Sequence, residues 1–564
     1  MPGGLLNLVT CGPQSIILNG NPKKTFFKAT YSKYTNFGLQ KFRIDFKGLR
    51  TLKLKEESKF TFKIPRYAEM LMDAYFCIDL PTIWSPIYPP QDVNDVWRPY
   101  EFKWMEHIGT EMIKEVVIFV GGHVIQKYSG SYIQHLVDRD YPASKKHVFD
   151  KMTGHVSECH DPANSGGRIH TYPSTYYSGN QNGENPSIHG RKLCIPLNAW
   201  FQHNTKMADP LIALQYAEIQ IEITLRPIVE LFIVRDVLDA ENNYPYTQPD
   251  PNNGVTQMFR FLQSPPSTAL DVNDYTDKRI LWNADPHLIC TYGFLSDDEA
   301  RVFASNEHRY LIKEVREYFF PKIHGAKKLQ IYTSGLVSSW MFHFRRSDVK
   351  FRNQWTNYTN WAYEYKPYGL LDAPIASYYQ YKDYGVQESS TSTPLELSQP
   401  NGFGPGVNPN CESTPWMITG PYSFENEKNI LLDFAILLDG NYRENKQNSS
   451  VYESIEQIRT SNGYGKDGVF YYNFTMDTAP SQFQPSGALC MDSFKKIELE
   501  FTTIMPPLDE SAETLAICDS NGVQIGVNKS TWEIYQYSYD MMLFEERYNI
   551  LHFIGGNCGL MYAR

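Results

Sequence analysis

The chain has 564 residues, too many for one ordinary hydrophobic core, so two domains of roughly 200–250 residues each are expected. Its formal net charge is −10, with 53 basic and 63 acidic residues and no long run of like charges, which argues against a nucleic-acid-binding surface. Aromatic residues make up 14% of the chain, including 39 Tyr and 32 Phe, and this class favours half-buried sheet surfaces. Composition therefore predicts a folded, strand-rich protein.

The N-terminal segment does not have the pattern of a targeting signal. Residues 1–22 carry no charged side chain, but glycine, proline and asparagine interrupt them and no basic stretch precedes a short apolar run. The nine cysteines are scattered and form no CxxC pair, which is typical of reduced thiols rather than of a disulfide framework. We therefore expect synthesis in the cytosol.

Alternating apolar and polar residues first appear just after residue 41. The alternation predicts strands at 42–47 and 60–64, and again at 219–225 and 497–501, each with one buried face. Other stretches, such as 430–438, are nearly continuous apolar runs, as expected for strands that are covered on both faces. Alternation in both halves predicts sheets that pack face to face.

Helices are predicted to be few and short. Ser296 and Glu299 have the spacing of a capping box at the start of a helix over 297–304, and another helix is expected to begin near Ser450. In the first half, a helix predicted over 131–138 follows an apolar strand and a glycine turn. The second half has the same order, with an apolar strand and a glycine-containing turn before the helix that begins near Ser450. The repeated order predicts an ancient duplication.

Three long polar segments interrupt the strand pattern, at about 139–190, 239–280 and 382–423. They are predicted to be surface loops, and segments of this length are either functional elaborations at one end of a sandwich or partly disordered. The junction between the halves is expected within 230–285.

Known catalytic motifs are not found in the sequence: there is no GxSxG elbow, phosphate-binding loop, HExxH or strand-following GxGxxG. Four histidines and a cysteine cluster within 147–170, a mixture that zinc sites use, but solvated loop histidines are the better interpretation. Asp297 and Asp298 fit a first helical turn better than a glycosidase pair. We predict neither an enzyme nor a bound metal or cofactor.

Four Asn-x-Ser/Thr sequons are present, at Asn357, Asn448, Asn473 and Asn528. Glycosylation requires exposure in a lumenal compartment, and the chain shows no signal for entering one. We therefore interpret the sequons as chance occurrences.

Short motifs along the whole chain carry a resemblance to a known family. They are Gly3-Gly4-Leu5, Gly20-Asn21-Pro22, Thr25-Phe26-Phe27-Lys28, Tyr34-Thr35-Asn36-Phe37, the segment from Pro210 to Tyr216, the segment from Glu307 to Ile312, the segment from Gln484 to Gly487, and Gly559-Leu560-Met561. These motifs resemble the major capsid proteins of nucleocytoplasmic large DNA viruses. The sequence departs from the common family pattern at Ala217, where histidine is often found.

The resemblance implies an all-β fold, a tandem double jelly roll made of two eight-stranded antiparallel sandwiches with short helices and long loop insertions. We expect an N-terminal arm at 1–37, the first jelly roll at 38–235, an inter-domain loop and linker at 236–285, and the second jelly roll at 286–564. The implied function is a major capsid protein in the virion capsid. Its homotrimers would form pseudo-hexagonal capsomers that tile the icosahedral shell of a large double-stranded DNA virus.

Five aromatic residues precede the first predicted strand: Phe26, Phe27, Tyr31, Tyr34 and Phe37. We expect them in an arm beneath the capsomer, where burial of each ring against a neighbour would contribute ~1.5–3 kcal/mol. Packing of these rings against the chain's own core is the alternative.

The partners implied are neighbouring capsomers and minor capsid and penton proteins, with proximity to an internal membrane left open and no direct contact with nucleic acid. Two other functions remain open at this point, because similar sandwiches serve several roles. One is a jelly-roll protein that binds or cleaves carbohydrate, and the other is a minor shell or vertex protein.

Overall fold

The computed structural model describes residues 25–361, 427–506 and 537–562, together with two short strands between the last two ranges. Short gaps within these ranges are residues 26, 30, 47, 49, 91–96, 170, 180–182, 239–243, 245, 255 and 483. The predicted loop at 382–423 lies outside the described residues.

The first half forms its strands from residues 38–294. In chain order they are β1 (Gly38–Asp45), β2 (Ser58–Lys63), β3 (Met70–Leu80), β4 (Ile87–Tyr88), β5 (Arg98–Pro99), β6 (Phe102–Trp104), β7 (Ile113–Val120), β8 (His123–Tyr128), β9 (Arg191–Pro196), β10 (Asp209–Pro210), β11 (Ile219–Leu225), β12 (Phe232–Arg235), β13 (Tyr246–Thr247) and β14 (His287–Phe294).

The second half forms its strands from residue 308 onward. They are β15 (His308–Ile323), β16 (Ala326–Ile331), β17 (Leu336–Arg346), β18 (Leu431–Leu438), β19 (Asn441–Tyr442), β20 (Gln447–Asn448), β21 (Val469–Asn473), β22 (Leu489–Cys490), β23 (Ile497–Thr503), β24 (Leu515–Cys518), β25 (Gln524–Asn528), β26 (Tyr539–Ile554) and β27 (Asn557–Leu560).

The helices in the described ranges are short. They are α1 (Ile108–Glu111), α2 (Gly130–Asp140), α3 (Ala143–Thr153), α4 (Ser157–His160), α5 (Trp200–His203), α6 (Asp297–Ser305) and α7 (Glu456–Thr460), the last continuing a π-helical turn at Val451–Ile455. Single 3₁₀ turns occur at Pro162–Asn164, Thr205–Met207, Leu211–Ala213, Ile228–Glu230, Met258–Arg260, Val272–Asp274, Val349–Phe351 and Met491–Ser493. None of the helices in the described part of the chain is long and apolar enough to cross a bilayer.

The strands form where residue alternation predicts them. In β2, Phe60 and Phe62 are buried while the intervening Lys59 and Thr61 are exposed. The apolar positions of β11 are buried in the same alternating way. One face of each strand is therefore part of the core, because successive side chains point to opposite sides of a sheet.

The first half is a sandwich of two antiparallel sheets. One has the order β1-β14-β3-β10, with β9 also paired to β3, and the other has the order β2-β11-β7-β8. The ring of Phe62 on one sheet lies 6.2 Å from that of Phe76 on the other. Contacts of this kind between facing sheets form the first core.

The second half is a sandwich with corresponding strands. One sheet has the order β15-β26-β17-β21, with β22 paired to β17 and β27 to β26, and the other has the order β16-β23-β18-β19, with β20 paired to β18. Phe344 on the first of these sheets lies 5.3 Å from Phe501 on the second. A separate apolar cluster therefore forms within the second sandwich.

The two sandwiches repeat one topology. The order β1-β14-β3 corresponds to β15-β26-β17, and β2-β11-β7 corresponds to β16-β23-β18. In the first half, α2 lies between the β7–β8 hairpin and β9, which pairs with β3. In the second half, α7 lies after the short strands that follow β18 and before β21, which pairs with β17. The repeated order of elements predicted from the sequence is therefore present in the fold.

The predicted boundary between residues 285 and 286 needs correction. Strand β14 (His287–Phe294), which that boundary assigned to the second jelly roll, pairs along its whole length with β1 and also pairs with β3. By strand pairing, the chain passes from one sandwich to the other between Phe294 and His308, across α6. Residue alternation identifies a strand but not its partner, which is why the sequence misplaced this strand.

The helix predictions hold in position and differ in detail. Helix α2 is longer at both ends than the predicted 131–138, and α6 ends one residue beyond the predicted 297–304. The Ser296 side chain makes no capping hydrogen bond, so the predicted capping box is not formed. Helices α3 and α4 lie within 139–190, which we predicted as a loop because its residues are mostly polar.

The described part of the 239–280 segment packs against the first sandwich. The Phe261 ring lies 5.4 Å from that of Phe102 in β6. The buried Arg260 guanidinium donates to the carbonyl of Leu270 at 2.9 Å, which fixes one turn of the segment to another. The described part of this segment is therefore packed within the chain itself.

Gly130 at the start of α2 provides a test of how closely this helix approaches the rest of the first sandwich. A Cβ atom at this position would lie 1.8 Å from the Thr110 carbonyl oxygen. We expect Gly130→Ala to lower the free energy of unfolding by ~1–3 kcal/mol, because the backbone must move to relieve the clash. Chemical denaturation of both proteins measures the difference.

Gly559→Ala is the matched control, because a Cβ atom there meets nothing within 4 Å. We expect the control to change stability by less than ~0.5 kcal/mol. Equal stability of the two variants would contradict the close approach at Gly130.

Candidate functional surfaces and the seam between the sandwiches

Helix α2 lies between the two sandwiches, and every one of its residues is buried. On one side it packs against its own sandwich. On the other, the Tyr132 ring lies 6.0 Å from that of Phe544, on the outer face of the sheet that contains β26. We call this contact the seam, defined by α2 and the facing residues Ser339, His343, Phe544 and Glu546.

A buried network of charges and hydrogen bonds crosses the seam. The Arg139 guanidinium lies 2.7 Å from the Asp140 carboxylate and 3.0 Å from that of Glu546. Glu546 also accepts hydrogen bonds from the Tyr132 hydroxyl at 2.8 Å and from the Ser339 hydroxyl at 2.7 Å. Since Arg139, Asp140 and Tyr132 belong to the first half and Glu546 and Ser339 to the second, the network fixes one sandwich against the other.

The network sets the protonation of its two carboxyl groups differently. Burial would raise the pKa of Glu546, but the positive charges of Arg139 and Lys313 outweigh burial and lower that pKa to about 2. Burial raises the pKa of Asp140 despite the adjacent guanidinium. Glu546 is therefore the ionised partner of Arg139 over the whole ordinary pH range.

A pair of histidines extends the seam away from the charged network. His135 Nε2 lies 2.8 Å from His343 Nδ1, so one ring donates a hydrogen bond to the other. Burial lowers the pKa of His135 to about 3, and burial likewise lowers the pKa of His343. Both rings are neutral at pH 7, which allows one to donate and the other to accept.

A cavity of about 420 Å³ opens beside the seam and is lined by residues of both halves. Three histidines stack on its wall, with the His107 ring 3.7 Å from that of His155 and the His155 ring 4.7 Å from that of His160. The solvated-loop interpretation is therefore wrong for His155 and His160, which are half-buried. His147 is exposed but lies in α3 rather than in a loop, and His170 lies outside the described residues. Across the described ranges, no cluster of three or more His, Cys, Asp or Glu residues could hold a metal ion.

The aromatic residues of the arm that the structure describes are exposed. The exposed fractions are 99% for Phe27, 92% for Tyr31, 83% for Tyr34 and 60% for Phe37, whereas Phe26 lies outside the described residues. These four rings do not pack into the chain's own core, which excludes that alternative for them. The Thr35 hydroxyl donates to the Glu299 carboxylate at 2.6 Å, so the end of the arm contacts α6.

The sequons differ in exposure. Asn357 and Asn473 are buried, and their amide groups donate to the Trp361 carbonyl and the Thr460 hydroxyl. Asn448 is exposed, and the side chain of Asn528 lies outside the described residues. A glycan could not be attached to Asn357 or Asn473 in the folded chain without displacing these contacts.

Sequence reasoning did not identify the seam. The consecutive acids Glu545 and Glu546 in an otherwise apolar strand were its available signal, because a strand that buries two adjacent carboxylates must be covered on both faces. Trp340 donates to Glu545 at 2.9 Å inside the second sandwich, while Glu546 points into the seam. The acidic and basic residues at the end of α2 gave no signal of their partner.

Known capsid proteins resemble this chain in both sequence and fold. Residues 25–258 match the family model of the major capsid protein N-terminus. A major capsid protein of Phaeocystis pouchetii virus is 22% identical over the whole of both chains. The chain is thus similar in sequence to major capsid proteins of large DNA viruses.

Some of these relatives match the chain over only part of their own length. The major capsid protein of Chrysochromulina ericina virus is 28% identical over 56% of this chain and 52% of its own length. The chain thus spans about half the length of that relative. The named relatives are capsid proteins, which agrees with the prediction of a structural protein rather than an enzyme.

Solved capsid structures share the fold. The quasi-atomic model of the PBCV-1 virus capsid has a TM-score of 0.57 at 17% identity and covers 96% of this chain and 100% of that one. The Faustovirus major capsid protein has a TM-score of 0.57 at 10% identity and covers 96% and 94%. The predicted all-β double jelly roll is therefore confirmed.

Replacing Glu546 tests whether the charged network stabilises the seam. We expect Glu546→Gln to lower the free energy of unfolding by about 3 kcal/mol, because a buried guanidinium loses one of its two carboxylate partners. Since the folded pKa is about 2 and the ordinary value is 4.5, the stability from Glu546 is present above about pH 4.5. The difference between wild type and variant should therefore shrink as the pH falls from 4.5 to 2, as measured by denaturant unfolding.

The control for this test is Glu56→Gln, which removes the exposed ion pair with Lys53. Exposed pairs contribute less than ~1 kcal/mol, so the control should match wild type at every pH within that margin. A pH-independent loss in Glu546→Gln would argue against the ionised pair.

Proposed function

We propose that three copies of this chain form a pseudo-hexagonal capsomer and that such capsomers tile the icosahedral shell of a large double-stranded DNA virus. The chain would be synthesised in the host cytoplasm and act by shape, without chemistry. One observation carries the proposal. The seam joins the helix of the first sandwich to a sheet of the second, whereas the corresponding helix of the second sandwich and the corresponding sheet of the first are left uncovered in the described part of the chain.

The uncovered helix is the one that ends at Thr460. Its Ile455 and Ile458 are 55% and 87% exposed, although exposed isoleucines are costly to hydrate. Counted back from the last helical residue, these positions correspond to His135 and Asp138 of α2, which are buried. His135 contacts the neighbouring sheet through His343, so the second helix has the apolar Ile455 at the position of that contact. Ile458 lies three residues further on the same face of the helix.

The uncovered sheet is the one that contains β3, β9 and β14. Its strands correspond to those of the second sandwich that receive α2. On its outer face the register partners Tyr75 and Ile289 are half-buried, and so is Cys194 on the adjacent β9, while Cys77 and His287 on the same face are buried. This face offers partly apolar area of the kind that interfaces between subunits cover.

These two uncovered surfaces belong to different ends of one repeat, so they can meet only between copies. Three copies carry six sandwiches. Such a head-to-tail contact therefore closes a ring if each sandwich is rotated by about one sixth of a circle relative to the one before it. A threefold assembly then has a nearly hexagonal outline, which packs without gaps in a flat facet.

The arm supports contacts beyond one capsomer. Its exposed aromatic rings would each contribute ~1.5–3 kcal/mol if covered by a neighbouring capsomer, a minor capsid protein or a penton protein. An internal membrane beneath the shell is compatible with this arrangement, and the acidic net charge argues against direct binding of the genome.

Substitution of Ile458 tests the ring contact. We expect Ile458→Asp to convert the trimer to monomer, since a carboxylate would be buried without a partner at the proposed interface. Native mass spectrometry of the purified protein measures the stoichiometry, and the thermal unfolding of the monomer should be unchanged. Ile169→Asp, at a 77% exposed residue outside both surfaces, is the control and should remain trimeric. A trimeric Ile458→Asp protein would refute this contact, and a monomeric wild type would refute the trimer itself.

The arm is tested by replacing Tyr31 and Tyr34 together with serine. We expect trimers to form normally and shells to fail to assemble, because the lost rings act between capsomers. Electron microscopy of assembled particles distinguishes shells from free trimers, with Tyr176→Ser as the control at another exposed tyrosine. Normal shells from the double variant would contradict the proposed role of the arm.

A further inference from the structure

Two cysteines face each other on the outer surface of the first sandwich. Cys77 in β3 and Cys194 in β9 are direct register partners in an antiparallel pair, 117 residues apart in the chain. Their sulfur atoms lie 3.2 Å apart, and both thiols are free. We propose that this pair is a redox site that forms an intramolecular disulfide when the protein meets a low-molecular-weight disulfide such as oxidised glutathione.

The backbone geometry suits this bond. Directly opposed residues in an antiparallel pair have Cα atoms about 4.5 or 5.5 Å apart, depending on the type of pair. Both separations fall within the roughly 4.4–6.8 Å range that disulfides span. Closing the remaining distance between the sulfurs therefore requires side-chain rotation rather than strand movement.

The two thiols have different roles. Cys194 is half-buried and accessible to a small oxidant, whereas Cys77 is buried beneath it. The hydrogen bond from Cys77 and the charge of Lys192 together outweigh burial and the charge of Asp79, and they lower the pKa of Cys194 to about 7. Cys194 is thus the attacking thiolate and Cys77 the resolving thiol.

The reaction balances as two thiol–disulfide exchanges. The Cys194 thiolate attacks one sulfur of oxidised glutathione, the S–S bond of glutathione breaks, and one glutathione thiolate leaves. Cys77 then loses its proton and attacks the Cys194 sulfur of the mixed disulfide, which releases the second glutathione thiolate. The protein loses two electrons and two protons, and one glutathione disulfide becomes two thiols.

The bond would connect β3 to β9 and close a loop of more than one hundred residues. Loops of that length restrict the unfolded chain strongly, so the oxidised protein should unfold at a higher temperature. In a reducing cytosol the pair stays as thiols, and oxidation would follow exposure to an oxidising environment. The pair lies on the sheet face that the proposed trimer contact covers, so the reaction belongs to the chain before it assembles, and the test uses the unassembled chain.

Treatment of the purified full-length chain with oxidised glutathione tests the proposal. We expect a mass loss of two hydrogens without added glutathione, a Cys77–Cys194 crosslinked peptide after digestion, and a raised unfolding temperature that dithiothreitol reverses. Cys77→Ser should instead accumulate glutathione on Cys194, because the resolving thiol is missing. Cys490, which is half-buried and has no hydrogen-bonded thiol among the described residues, is the internal control and should react about tenfold more slowly than Cys194.

Two results would overturn the proposal. One is a stable glutathione adduct on Cys194 in the wild type, which would show that Cys77 does not resolve it. The other is equal reactivity of Cys194 and Cys490 with no crosslink formed. Either result can be read from the wild-type protein alone, so the test holds even if a variant fails to fold.

Discussion

The buried ion pair between Arg139 and Glu546 is the constraint on which the arrangement of the two sandwiches depends. Both side chains are almost completely removed from solvent, and each comes from a different half of the chain. A charge buried in this way is tolerated only when its partners are in place, so a shifted or partly opened seam would leave an unpaired charge in a medium of low polarity. The pair therefore favours one relative orientation of the sandwiches and penalises intermediate ones. In the proposed capsomer, a single fixed orientation of the two sandwiches allows each copy to fit its neighbours.

Strand β26 shows how one sheet can belong to two interfaces. Leu543 and Glu545 point into the second sandwich, while Phe544 and Glu546 point into the seam. At Phe544 and Glu546 its outer face is thus as buried as its inner face, whereas the outer positions toward both ends of the strand are half-buried or exposed. By contrast, the corresponding sheet of the first sandwich retains a half-buried outer face, and this asymmetry within one repeated topology is what distinguishes the two ends of the chain.

Local periodicity explains how much of the fold could be read from the sequence. The alternation in β2 and β11 and the helix before β9 follow from neighbouring residues, and the repeated order of elements follows from them. The partner of β14 could not be read, because pairing with β1 across more than 240 residues leaves no local trace. The seam was missed for the same reason: Arg139 and Glu546 are 407 residues apart, and each looks like an ordinary charged residue in its own segment. The four described rings of the arm are exposed, whereas their contacts with neighbouring copies stay a prediction.

The late position of β14 has a consequence for how the protein is made. Strand β1 leaves the ribosome well before its hydrogen-bonding partner, which follows more than 240 residues later. Until residue 294 has emerged, β1 has no neighbour in its sheet and β3 lacks one of its neighbours, so the nascent chain carries open sheet edges of the kind that attract other strands. The first sandwich can thus be completed only when synthesis of the second is beginning, so the two halves fold over the same period of synthesis.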